Sequence, residues 1–141
     1  IIGPMADAST FTAVEAENMD VAKYADMFAG GWSARWPFTT KGSKASFVVD
    51  IKDTKAITGF GCDGYAVNNY TVSVSTDKTT WTELGNSAEH QAKSDDNWNN
   101  IYVLYGGVNC RYVKFEFNLN ADDWSWDYGW AGMSGLFLYF Q

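Results

Sequence analysis

The feature that most constrains this chain is a two-residue alternation that recurs along much of its length. In residues 69–76, Tyr70, Val72 and Val74 fall on one side and Thr71, Ser73 and Ser75 on the other. Successive side chains of an extended strand point to opposite faces, so this pattern makes a strand with one buried face and one wet one. Comparable runs occupy residues 10–17, 45–51, 55–62, 81–84, 100–105, 111–119 and 134–140, bounded by Gly, Asn, Asp or Ser. Helical spacing is confined to residues 19–28, where Val21, Tyr24, Ala25 and Phe28 stand at i, i+3, i+4 and i+7, enough for a turn or two. Short strands without helix–strand alternation predict an all-β sandwich. A chain of 141 residues is one domain, with residues 1–9 read as a tail or linker remnant and residues 10–141 as the sandwich.

Charge narrows the partners. A formal net charge of −7, with ten Lys and Arg spread through the chain, offers no basic patch for nucleic acid or anionic lipid. No run of about 18 apolar residues occurs, so no membrane-spanning helix is expected. The opening Ile1-Ile2-Gly3-Pro4 is too short for a signal peptide and lacks a basic start, so the chain is read as processed or cut from a longer, multidomain one. Cys62 and Cys110 are an even count, compatible with one disulfide or with two buried thiols. A bridge closing about 48 residues would contribute about 4 kcal/mol in the chain-entropy picture.

Aromatic residues make up 17% of the chain, among them seven Trp. Trp is seldom fully buried, so several rings are expected at the surface. The two longest connections, residues 85–99 and 120–133, hold many of them, and long structureless loops are commonly functional.

Four strings in order carry a family resemblance: Phe47-Val48-Val49-Asp50-Ile51, Ala56-Ile57-Thr58-Gly59-Phe60, the segment from Tyr70 through Thr76-Asp77-Lys78-Thr79-Thr80-Trp81, and Cys110-Arg111-Tyr112-Val113-Lys114-Phe115. Together they resemble the discoidin domain, also called the coagulation factor 5/8 type C domain, a galactose-binding-like group that includes the family 32 carbohydrate-binding modules. Val14-Glu15-Ala16-Glu17-Asn18 is similar to the start of families 6 and 35. The resemblance spans residues 11–140 and implies a jelly-roll β-sandwich that is secreted or cell-surface, is non-catalytic, and binds a glycan or polysaccharide as a monomer. Lys78 stands where the family usually has a turn glycine, and the family's terminal disulfide is missing.

The acidic aromatic segment Asp122-Asp123-Trp124-Ser125-Trp126-Asp127-Tyr128-Gly129-Trp130 is the leading site candidate. Sugar rings present C–H faces that stack on aromatic planes, while their hydroxyls need acceptors such as carboxylates. The alternative is that Trp124, Trp126, Tyr128 and Trp130 alternate into the core as a strand. The site reading expects Trp124 and Trp126 to stack on sugar, with Tyr128 beside them and Asp123 and Asp127 bonding hydroxyls. Trp98 with Asn97, and Trp32 with Arg35, are further ligand candidates. Tyr65 or Asn68 is a weaker one, while Trp36 and Trp81 are expected in or beside the core. Glu15 and Glu17 are two apart on a strand and share a face, and the resemblance to families 6 and 35 implies a structural calcium there.

Catalysis lacks an inventory. His90 is the only histidine, and Gly31-Trp32-Ser33-Ala34-Arg35 lacks the second glycine of a nucleophile elbow. No Cys or His spacing suits zinc, and no glycine-rich loop opens a helix for phosphate. Asp123 or Asp127 facing Asp95 would be the one glycosidase arrangement, on loops too shallow to exclude water well. The expectation is a binding module for a neutral or plant-type glycan. The runner-up is a protein-interaction or structural sandwich, kept open by Phe137, Tyr139 and Phe140.

Overall fold

Two long strands, each bent over one end of the molecule, organise the fold. The computed structural model describes residues 11–20, 36–86 and 102–141. In chain order the strands are β1 (Thr12–Glu17), β2 (Trp36–Pro37), β3 (Lys44–Tyr65), β4 (Val67–Ser75), β5 (Thr82–Asn86), β6 (Tyr102–Leu119) and β7 (Gly132–Phe140). All pairings are antiparallel. The first arm of β3 pairs Lys44 through Asp50 with Asn118 through Tyr112 of β6. With β1 on one flank and β4 then β5 on the other, this makes a layer ordered β1-β3-β6-β4-β5. The second arm of β3 pairs with β7 from Ile57↔Phe140 to Tyr65↔Gly132, and β2 adds to the edge through Trp36↔Met133. That is the second layer of a jelly-roll β-sandwich.

The alternation read from the sequence places the core. Phe47, Val49 and Ile51 of β3, Val113, Phe115 and Phe117 of β6, and Tyr70, Val72 and Val74 of β4 are all buried. Phe47 stacks on Phe115 at 5.1 Å between ring centres, directly opposite it across the strand pair. The other layer answers with Ile57, Phe60, Met133 and Leu138, and Phe60 meets Tyr70 edge-to-face at 6.4 Å across the sandwich. Burying each such side chain contributes roughly 1.5–3 kcal/mol.

Several expectations are corrected. Residues 45–51 and 55–62 are two arms of one strand, because the ladder resumes at Lys55↔Cys110 after the bend. At the bend Lys52 takes a positive φ of 64°, and the Asp50 carboxylate accepts its N–H at 2.7 Å. Residues 100–105 and 111–119 likewise join within β6 through Gly106 and Gly107, at φ of 85° and 71°. Met19 forms an antiparallel bridge with Phe38 instead of opening a helix; residues 21–28 of the proposed helical stretch, like the 1–9 tail, lie outside the described residues. Trp81 is half-buried, with the Lys114 ammonium 4.3 Å from its ring centre, so a cation covers it on the outside of the sheet.

Cys62 and Cys110 are not bridged. Cys110 stands opposite Lys55, whereas Cys62 stands opposite Leu136, seven positions further along the same strand. At about 3.3 Å per strand residue the two are on the order of 20 Å apart, far beyond disulfide reach.

Lys78, where the family usually has glycine, does adopt a left-handed φ of 64°. Local acceptors hold it there: Ser75 Oγ takes the Lys78 N–H at 2.8 Å, and Asp77 Oδ1 takes those of Thr79 and Thr80. These backbone donors hold the Asp77 carboxyl below its ordinary value.

The two ends of the sandwich differ. Phe11 and Phe140 touch edge-to-face at 6.2 Å beside the bends, and the Gln141 N–H donates to Ala56 O. The opposite end gathers the β3–β4 corner at Ala66, the connection from β6 to β7, and Trp36 paired with Met133. Asn86 and Tyr102, which bound residues 87–101, also lie on the arms that run toward this end.

Candidate functional site

The β6–β7 connection is a built loop. Asn120 hooks it to the β3–β4 corner, its N–H donating to Ala66 O at 2.7 Å, and its side chain accepts the Asp122 N–H. Trp124–Trp126 form a single 3-10 turn capped by Asp123, whose carboxylate accepts from both the N–H and the hydroxyl of Ser125. Those bonds hold the Asp123 carboxyl below its ordinary value. Ser125 is fully buried under the turn. The Trp130 N–H closes the loop onto Ser125 O at 2.8 Å, and Gly129 supplies the positive φ of 70° that the return requires.

This architecture separates the aromatic residues. Trp124, Tyr128 and Trp130 face solvent at 52%, 71% and 42% exposure. They form one cluster with Tyr65 at the end of β3: Trp124 lies 5.8 Å from Tyr65, 5.8 Å from Tyr128 and 5.5 Å from Trp130, all edge-to-face. Edge-to-face packing at this spacing is the favoured arrangement for rings in contact, so the rings support one another while leaving apolar surface open. Trp126 does the opposite. It is half-buried against the core, 6.1 Å from Phe38, and its indole N–H donates to Asn120 O at 2.8 Å.

Of the residues expected in the site, Trp124, Tyr128 and Asp127 are exposed on this loop. Trp126, expected to stack on sugar, is half-buried against the core, and one oxygen of the Asp123 carboxylate, expected to bond hydroxyls, caps the turn. A two-residue period would put Trp124 and Trp126 on one face; a 3-10 turn of about three residues per turn sets them apart. Tyr65 and Trp130 join the cluster although the sequence gives them less prominence than Trp124. The sequence signal beside Tyr65 is Gly64: a Cβ there would meet Gly132 O at 2.7 Å and Met133 Sδ at 2.8 Å, a close approach at the register shift between β3 and β7. Trp98, Asn97, Trp32 and Arg35 lie outside the described residues.

On the other side of the turn lies a depression of about 370 Å³, lined by Pro37, Phe38, Thr39, Lys41, Trp126, Asp127, Gly129 and Ala131. Asn18 braces its wall. The Asn18 side chain accepts the Thr40 N–H at 2.6 Å and donates to Lys44 O at 3.1 Å.

Glu15 and Glu17 are both exposed on β1, as their spacing requires. Glu15 is engaged by Lys78 at 3.3 Å, while Glu17 borders a polar hollow with Glu83 and Glu116 on the outer sheet face. Calcium takes six to eight oxygens, and among the described residues no group of three or more acidic, His or Cys side chains is placed to hold a metal. By themselves the two carboxylates do not fit a calcium site.

A jelly-roll sandwich whose loops raise an aromatic cluster at one end defines a class of binding domain. The chain belongs to the F5/8 type C domain family, whose model matches residues 6–133. No curated protein sequence matches it. Among solved structures, it is similar to the CBM32-3 module from a family 31 glycoside hydrolase of Clostridium perfringens, at 15% identity and TM-score 0.68 over 97% of this chain and 95% of that one. It is also similar to the family 32 module of C. perfringens NanJ, in complex with galactose, at 11% identity and TM-score 0.67 over 96% and 97%. A third likeness, to a Ruminococcus gnavus GH29 fucosidase in complex with fucose, has 14% identity and TM-score 0.65 and covers 94% of this chain but 25% of that one. In that protein the matching domain is one part of a larger chain.

Proposed function

We propose that this domain binds carbohydrate without acting on it, through the ring cluster of Trp124, Tyr128, Trp130 and Tyr65. The observation that carries the proposal is the solvent exposure of three large rings on a loop whose every turn is hydrogen-bonded in place. Such preorganisation lowers the ordering cost of binding. Asp127 and Asp122, exposed beside the rings, serve as hydroxyl acceptors. The similarity in fold to modules seen with galactose supports the reading. Each stacked ring contributes about 0.5–1.5 kcal/mol beyond its buried area, so affinity falls in the millimolar to micromolar range, about −4 to −8 kcal/mol.

We read the domain as non-catalytic: Ser125 holds the Asp123 carboxyl below its ordinary value, which suits a capping acceptor better than a general acid, while Asp95 lies outside the described residues. The protein-interaction reading draws less support, because Phe137 and Phe140 are buried and Tyr139 is half-buried. We place the domain outside the cell, as a monomeric module of a larger protein that meets a neutral or plant-type glycan. Trp98, Asn97, Trp32 and Arg35 are further contacts under the same proposal, since Trp36, Asn86 and Tyr102, which bound their segments, lie at or toward the ring-bearing end.

The test is binding to arrayed glycans and insoluble polysaccharides, with and without a calcium chelator. Saturable binding that free sugar competes away supports the proposal. Binding to none, together with self-association in solution, would transfer the site to a protein partner. Loss on chelation would show that calcium ligands beyond Glu15 and Glu17 come from outside the described residues.

A further inference from the structure

Residues 126–130 divide their side chains between two surfaces. Trp126, Asp127 and Gly129 line the 370 Å³ depression, while Tyr128 and Trp130 stand in the ring cluster with Trp124. The two surfaces therefore share one strip of backbone and adjoin each other at Asp127, Tyr128, Gly129 and Trp130. The space beside Gly129 is open, since a Cβ there would meet nothing within 4 Å.

The depression has its own recognition chemistry. Its floor is apolar, formed by Phe38, Trp126, Pro37 and Ala131, and its rim carries Lys41 and Asp127. No carboxylate of the described residues pairs with Lys41 and no cation pairs with Asp127, so both charges are available to a ligand. A sugar hydroxyl can accept from an ammonium and donate to a carboxylate. Opposite charges on one rim cancel at a distance, so the rim suits a neutral residue better than a uronic acid or a free amino sugar. A depression of this size is at the small end of ligand pockets, suited to a single sugar ring.

We infer that the depression is a second subsite for a neutral sugar residue, so that the domain binds a stretch of at least two linked residues across the 3-10 turn. This rests on the carbohydrate reading of the ring cluster, which it extends to ligand length. The occupant is the neighbouring residue of the same glycan, because the exposed residues 127–130 border both surfaces. Lys41 is the residue that distinguishes the subsite, since it lines the depression and takes no part in the ring cluster.

The experiment uses neutral gluco-, galacto-, xylo- and N-acetylglucosamine oligosaccharides of one to four residues, titrated by calorimetry into the wild type, Lys41→Met and Trp124→Ala. In the series that binds, the wild type is expected to hold the disaccharide about ten-fold more tightly than the monosaccharide. Lys41→Met should shrink that ratio toward one and leave the monosaccharide affinity unchanged, whereas Trp124→Ala should lose both ligands. A wild-type ratio of one, or a ratio that Lys41→Met does not alter, overturns the subsite while leaving the ring cluster standing. Failure of every series to bind overturns the carbohydrate reading itself. Thermal melts of both variants within a few degrees of wild type establish that they fold, as expected for exposed Lys41 and Trp124.

Discussion

Trp124 and Trp126 sit two residues apart on one 3-10 turn and face opposite ways: Trp124 is half in solvent, while the Trp126 indole is bonded to Asn120 O at 2.8 Å against the core. The same residue type therefore stands in the exposed ring cluster at one position and braces the loop against the core at the other. Trp124→Ala should abolish glycan binding and shift stability by less than about 1 kcal/mol, as for a surface substitution. Trp126→Ala should lower stability by about 3 kcal/mol through a cavity and a lost hydrogen bond. Paired denaturant melts and binding isotherms check the contrast; equal stability losses would refute the division of roles.

Asp123 ties the turn together through Ser125. Asp123→Ala should cost about 0.5 kcal/mol, at the low end for a cap because the carboxylate is solvent-screened. Binding should weaken more than stability, because the turn aims Trp124. A Kd unchanged in this variant would show that the turn keeps its shape without its cap.

Acid should destabilise the domain in a defined window. Arg111 grips Asp50 through two contacts of 3.0 and 3.1 Å and holds its carboxyl below the ordinary value, and Ser125 does the same for Asp123. Folded values below the unfolded one, about 3.9, mean that the folded state favours the charged form. The resulting stability is complete above about pH 5 and is lost as pH falls through the folded values. Melting temperature should be flat from pH 7 to 5 and drop below pH 4, with Asp50→Asn showing a shallower drop. An identical acid slope in that variant would count against the pair.

The thiols offer a direct check on strand register. Burial pushes the Cys110 thiol up to about 12, so it should resist alkylation at pH 8 in the folded protein and react on unfolding. Adding reductant should not change the melting temperature. A fall of several degrees would reveal a bridge and overturn the pairing of Cys110 with Lys55.

Gly64 tests the close approach of β3 and β7 next to Tyr65. Gly64→Ala drives a methyl toward Gly132 O and Met133 Sδ and should cost about 1–3 kcal/mol, with weakened binding as Tyr65 shifts. Chemical denaturation with a binding assay would settle it.

Much of the fold was legible because alternation is local: Tyr70, Val72 and Val74 declare their face to anyone counting by two. The joining of strands at Lys52 and at Gly106-Gly107 was not, since breaker residues look alike whether they end a strand or bend it. In the site, composition pointed to the right loop, but the roles of Trp124 and Trp126 depended on a 3-10 turn set by Asp123 and on an acceptor, Asn120 O, whose position is tertiary. Lys41 gave no signal at all, because a solitary lysine before glycine acquires meaning only when Trp126 folds beside it.

The contact between Phe11 and Phe140 has a mechanical corollary. Entry and exit of the β structure lie side by side, so a host polypeptide could carry this unit like a pendant, interrupted at a single point and barely parted by it. The rings hang at the far end from that attachment. A tug along that host chain would load the seam at Phe11 and Gln141, and leave the ring cluster unstrained.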